Sequence, residues 1–126
     1  MIYLLDVSTL LALLWETHEF NERVTRWQEQ QMLALCPLTE LGFLRISTQP
    51  SFGLSPAEAR QLLGEWKRVR QPVFIPCDLT PLAGEEPPSS GKTTDFYLAS
   101  LALKHGMAWA TLDGGVNHPA SFLIPK

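Results

Sequence analysis

Ile2-Tyr3-Leu4-Leu5-Asp6-Val7-Ser8-Thr9-Leu10-Leu11-Ala12-Leu13-Leu14-Trp15 opens the chain with a short run of apolar strand formers, a single carboxylate, and a second apolar segment. A short apolar run that stops at a charge reads as a buried strand. Ser8 is a helix N-cap candidate for the segment that runs to Trp15. The unit is a strand-to-helix junction with Asp6 at its tip.

Strands and helices alternate downstream. Phe20, Val24 and Trp27 fall on helical spacing within residues 19–31, which predicts an amphipathic helix. Met32 to Leu35 reads as a second buried strand, and Pro37 suits the first turn of a helix that carries Glu40 and ends near Gln49-Pro50. Ser55-Pro56-Ala57-Glu58 is a capping-box pattern, and its helix runs to about Arg70. Pro72 to Pro76 is a third strand, and residues 80–91, rich in proline and glycine, form a loop. A helix over 94–105 has Asp95 near its start. Ala108 to Leu112 is a fourth strand ending at Asp113 and the turn Gly114-Gly115, and Ser121 to Pro125 is a further edge strand. This order predicts an α/β layer fold with a mainly parallel central sheet of four or five strands flanked by helices. Ligands of such folds sit at the carboxyl ends of the strands, where Asp6 and Asp113 both fall.

At 126 residues the chain fits one domain, residues 1–126. Its 45% hydrophobic and 18% charged residues are those of a folded protein with a packed core. Asp6 interrupts the first apolar stretch, and the run after it is far short of the ~20 residues that span a bilayer. It therefore reads as a buried helix of a cytoplasmic protein with no membrane association. Cys36 and Cys77 follow no metal-ligand or redox spacing and are expected as reduced core thiols. The net charge of −3 does not favour a polyanionic ligand, but two divalent cations, with four positive charges, would bring −3 to +1. Net charge therefore does not exclude RNA.

Asp6, Glu40, Asp95 and Asp113 occupy strand ends and helix starts, positions that can converge although distant in sequence. Helix N-termini also tolerate negative charge through their free N–H groups. Crowded ionised carboxylates repel one another unless a cation is present, and a hard divalent ion with oxygen ligands is the natural occupant. Such an ion can activate water and neutralise charge on a phosphodiester, which points to metal-assisted hydrolysis. Each acid also has a plain reading: Asp6 or Asp95 as a helix cap, Glu40 as a solvated helix residue, and Asp113 as a turn former.

The local sequences around these acids resemble one family. Asp6-Val7-Ser8-Thr9-Leu10-Leu11-Ala12-Leu13 looks like the opening of PIN domains, and Thr39-Glu40-Leu41-Gly42-Phe43-Leu44-Arg45-Ile46-Ser47 is similar to the second motif of VapC-type toxins of bacterial toxin–antitoxin pairs. Thr94-Asp95-Phe96-Tyr97-Leu98-Ala99-Ser100-Leu101-Ala102 resembles the third motif, and Ala110-Thr111-Leu112-Asp113 the fourth. The resemblance implies a PIN-like three-layer fold and a magnesium- or manganese-dependent endoribonuclease with Asp6, Glu40, Asp95 and Asp113 as catalytic acids. It makes Asp6 and Asp95 the principal metal ligands, with Glu40 and Asp113 completing the site directly or through water. It also implies an RNA substrate, a cognate antitoxin and a homodimer. The loop before Asp95 departs from the pattern, lacking the helix that many relatives place there.

Several residues keep two readings. Ser8 and Thr111 are either local structural hydroxyls or contacts to metal-bound water. Arg45, about one turn from Glu40, orients it, meets a phosphate, or forms a structural ion pair. Arg60, Lys67, Arg68 and Arg70 are a solvated helix face or a phosphate-positioning cluster. Trp15, Trp27, Trp66 and Trp109 read as core or interface packing before base stacking. His18, His105 and His118 are dispersed and support no nucleophilic triad. Two rival functions are a PIN module that binds RNA or protein without cutting, and a phosphohydrolase of small esters. Asp6-Val7-Ser8 lacks the second aspartate that an aspartyl-phosphate route requires.

Overall fold

In a computed structural model describing all 126 residues, β1 (Ile2–Leu5) leads into α1 (Val7–Leu14) and α2 (Asn21–Gln28). These are followed by β2 (Met32–Leu35), α3 (Pro37–Ser47), α4 (Pro56–Arg70) and β3 (Val73–Phe74). A 3-10 turn at Ser90–Lys92 introduces α5 (Thr93–Lys104), and β4 (Ala108–Thr111) and β5 (Ser121–Leu123) complete the chain. All strands pair in parallel in the order β3-β2-β1-β4-β5. The predicted α/β class is present, and of the four or five strands expected the sheet has five, all parallel.

Alternation along the strands divides the core into two. Leu4, Ala34 and Trp109 face one side and pack with Leu98, Leu101 and Ala102 of α5. Leu5, Leu33, Leu35 and Ala110 face the other and pack with Leu10 of α1, Val24 of α2, Phe43 of α3 and Leu63 of α4. A parallel sheet covered on both faces needs apolar residues at successive positions, which is why these strands read as continuous runs.

Three polar contacts bind the helix starts to the strand ends. The Asp6 N–H donates to the Ala110 carbonyl at 3.1 Å, and the buried Thr9 hydroxyl donates to the same oxygen at 3.1 Å. Thr39 on the first turn of α3 donates to the Leu5 carbonyl at 2.9 Å. The chain leaves β1 for β2 on one side and later returns to β4 on the other, so the carboxyl ends of β1 and β4 flank the topological switch point.

The Ser55–Glu58 capping box forms as predicted, with the Glu58 N–H on Ser55 Oγ at 3.1 Å and the Ser55 N–H on Glu58 Oε1 at 2.9 Å. Four expectations change. Helix α2 covers only Asn21–Gln28, and β3 is reduced to Val73–Phe74 at the sheet edge, where pairing on one side only sustains less strand. Ser8 is not the N-cap, because α1 already begins at Val7 and Asp6 precedes it. Cys77 is exposed in the loop after β3, whereas Cys36 is buried as expected.

Helices α1 and α3 meet where Gly42 faces Val7. A Cβ built on Gly42 would lie 2.6 Å from Val7 Cγ2 and 2.9 Å from Cγ1. Valine has little rotamer freedom with which to yield. Gly42→Ala is therefore expected to destabilise by about 1–3 kcal/mol despite alanine's better helix propensity. The same change in a Val7→Ala background should be neutral or stabilising, and a double-mutant cycle by urea unfolding checks this. Equal costs in both backgrounds would contradict the packing argument.

Candidate active site

Asp6 follows β1 and is only 6% exposed. Its Oδ2 accepts hydrogen bonds from Ser8 Oγ and Thr111 Oγ1, each at 3.0 Å. Thr111 Oγ1 also accepts the Asp113 N–H at 3.0 Å, so one hydroxyl fixes both the Asp6 carboxylate and the turn after β4. Burial raises the Asp6 pKa, the two hydroxyls and the Val7 backbone oppose the rise, and the charge of Asp113 adds to it.

Asp95 is on the first turn of α5 and half-buried, and its carboxylate accepts no hydrogen bond. Burial, followed by the charge of Asp6, pushes its pKa up to about 6; Lys92 opposes the shift and Asp113 adds to it. Asp113 is the opposite case. Lys92 Nζ lies 2.6 Å from its Oδ2 and the Gly115 N–H donates to its Oδ1 at 2.8 Å, and these bonds hold its pKa below the usual value.

Three of the four predicted acids therefore share one electrostatic neighbourhood. Glu40 does not join them: it stands on the first turn of α3, but its Oε2 pairs with Lys67 Nζ of α4 at 2.5 Å. That ammonium also lies 4.9 Å from the centre of the Phe74 ring, a cation–π contact that holds the pair toward β3. Asp6 and Asp95 open onto a cleft of about 550 Å³ walled by Leu38, Leu41, Ile46 and Thr94. Arg45 lines this cleft too, exposed and without a carboxylate partner, so neither its structural ion pair nor its contact with Glu40 forms.

The basic cluster on α4 splits in function. Lys67 holds Glu40, whereas Arg70 donates to Gln28 Oε1 at 2.9 Å and to the Gln28 and Gln31 carbonyls at 2.7 Å, capping the end of α2. Trp27 and Trp109 are buried and Trp15 and Trp66 half-buried, consistent with packing. His118 is tied by the Ala120 N–H on Nδ1 at 3.0 Å and by Ser100 Oγ on Nε2 at 3.1 Å. Because Nδ1 accepts, Nε2 carries the proton and cannot activate the serine.

Sequence reasoning missed Lys92. Its signal was a lone cation three residues before Asp95, at the end of a loop read for its prolines and glycines.

The donor set decides which group the cleft can take. No three acidic, histidine or cysteine side chains form a ready cage for a cation. Both side-chain bonds to Asp6 fall on Oδ2, and both Asp95 oxygens are unbonded, so the two carboxylates with free oxygens are those expected as principal ligands. Magnesium commonly binds through one or two carboxylates while keeping several waters, which this set fits.

The PIN domain family model matches residues 3–120. Among curated relatives, Ribonuclease VapC38 of Mycobacterium tuberculosis is 35% identical over 121 residues, covering 90% of this chain and 86% of that protein. Ribonuclease VapC29 of the same organism is 32% identical over 133 residues, covering 99% and 98%. A chain in the solved structure of FitAB bound to an IR36 DNA fragment superposes with a TM-score of 0.65 at 22% identity, covering 91% of this chain and 87% of that one, a likeness of fold. The fold is that of a PIN domain. The chain belongs to the PIN-domain family and, within it, to the VapC-type group.

The raised Asp95 pKa has a stability consequence. Folded protein holds the Asp95 proton more tightly than unfolded chain, so this contribution is fully present below the unfolded value near 3.8 and is lost as pH rises to about 6. Asp95→Asn, measured in EDTA, should therefore gain melting temperature relative to wild type from pH 4 to 6 and level off above. A difference independent of pH would contradict the crowding of Asp95 by burial and Asp6.

Proposed function

We propose that the protein is a metal-dependent endoribonuclease that hydrolyses RNA phosphodiester bonds and serves as the toxin of a toxin–antitoxin pair. The observation carrying the chemistry is that Asp6 and Asp95 face one open cleft that Arg45 also lines, without a carboxylate partner. Relatives named ribonucleases along nearly the whole chain support the substrate class.

Magnesium or manganese bound by Asp6 and Asp95 would activate water and neutralise charge on the phosphodiester. The chain's own residues prepare that step. Ser8 and Thr111 hold Asp6 in one rotamer, and their bonds to Oδ2 leave Oδ1 toward the cleft's ligand. The N-terminus of α5 places Asp95 where free N–H groups favour its ionised form. Arg45 offers a guanidinium to a phosphate, and Lys67 holds Glu40 on the first turn of α3.

Resemblance to VapC-type toxins supports a cognate antitoxin as partner, a homodimer, and a cytoplasmic location. No helix is long and apolar enough to cross a membrane.

Purified protein incubated with total cellular RNA should produce discrete cuts with magnesium or manganese and none with EDTA. Asp95→Asn should lower the rate by roughly a hundredfold or more, since even groups that only support metal ligands change activity by about 10–100-fold. Equal products from both proteins would mean contamination. Bound but intact RNA under every metal would replace this reading with a non-cutting binding module.

Thr111→Val tests the shared hydroxyl separately. It preserves the β-branched shape in β4 but removes the bonds to Asp6 and from the Asp113 N–H. A loss of about 10–100-fold in kcat/KM is expected. Wild-type rates in a normally folded variant would show that Asp6 needs no such support.

A further inference from the structure

Lys92 is the residue the mechanism above leaves unused. It ends the 3-10 turn before α5, and its Nζ lies 2.6 Å from Asp113 Oδ2. Asp113, Asp95 and Asp6 all lie within electrostatic reach of its ammonium, so it faces the cluster and not one acid alone. Both Asp113 oxygens are occupied, Oδ2 by Lys92 and Oδ1 by the Gly115 N–H. The other nearby cations are committed elsewhere or stand apart: Lys67 is on Glu40, and Arg45 lines the α3 side of the cleft.

A plain latch between the turn and the loop after β4 would explain the pair alone. With 31% and 43% of its side chains exposed, however, the pair contributes little to stability as a latch. An ammonium has only protons to donate, so it cannot ligate a metal, and its charge repels one. On the metal-dependent reading above, we propose that Lys92 is a tethered counter-cation of the carboxylate cluster. A divalent ion held on Asp6 and Asp95 draws in Asp113, directly or through water, only by displacing Lys92 from its Oδ2, so this lysine sets the metal concentration at which the full site is occupied.

The consequence is opposite to that of losing a ligand: removing Lys92 strengthens metal binding. Manganese titrated into wild type, Lys92→Met and Lys92→Arg, followed by the electron-paramagnetic signal of the free ion, should show Lys92→Met binding roughly tenfold tighter. Lys92→Arg, which keeps the charge, should stay near wild type. Acetylation of Lys92 in the wild type, read by mass spectrometry, should rise when magnesium saturates the site, and Asp95→Asn should suppress the rise. Equal or weaker manganese binding by Lys92→Met overturns the proposal while leaving the metal-dependent reading intact. Acetylation unchanged at saturating magnesium overturns displacement even where affinity rises. Absence of manganese binding to all three proteins removes both the metal reading and the proposal.

Discussion

Asp6 sits where the chain leaves the central strand, 6% exposed, at the one place where parallel connections run off to opposite sides. A carboxylate there loses most of its hydration, and the surrounding structure has to replace it. Ser8, on the first turn of α1, and Thr111, at the end of the neighbouring strand, do so with hydroxyls on a single oxygen. Thr111 then orders the turn carrying Asp113, and Asp113 anchors Lys92 just before α5. The need to satisfy one buried acid thus connects β1, α1, β4 and the entrance to α5.

The acids gathered by this network share a sequence type but not an environment. Asp113 has an ammonium and a backbone N–H and ionises readily; Asp95 has neither, and burial together with Asp6 outweighs the helix N-terminus on which it stands. The asymmetry comes from where the cation is placed. Lys92 is bonded to Asp113 and acts on Asp95 only through space, so free oxygens remain on Asp6 and Asp95 and not on Asp113. Glu40 is separated from the group by a cation of its own, Lys67, which Phe74 helps to position.

Much of this was readable along the chain because its causes are local. Apolar runs ending at Asp6, before Pro37 and at Asp113 marked β1, β2 and β4, and Ser55-Pro56-Ala57-Glu58 marked the start of α4 through bonds between residues three apart. Local rules failed where a distant partner competed. Ser8 has the chemistry of a cap, but the helix begins before it and its hydroxyl turns to Asp6. Cys77 has the composition of a core residue, but β3 ends before it and leaves it exposed. Arg70 looked like surface charge beside Lys67, but it closes the end of α2.

By itself, the sequence determined the alternation of strands and helices, the capping of α4, and the placing of Asp6, Glu40, Asp95 and Asp113 at element boundaries, because periodicity and capping act over a few residues. Only the tertiary structure decided which charges meet. Lys92 reaches Asp113 across 21 positions, Lys67 reaches Glu40 across 27, and Thr111 reaches Asp6 across 105. Electrostatic and hydrogen-bond energies depend on separation in space, and sheet order, which brings β4 beside β1, converts those long sequence intervals into contacts of a few ångströms.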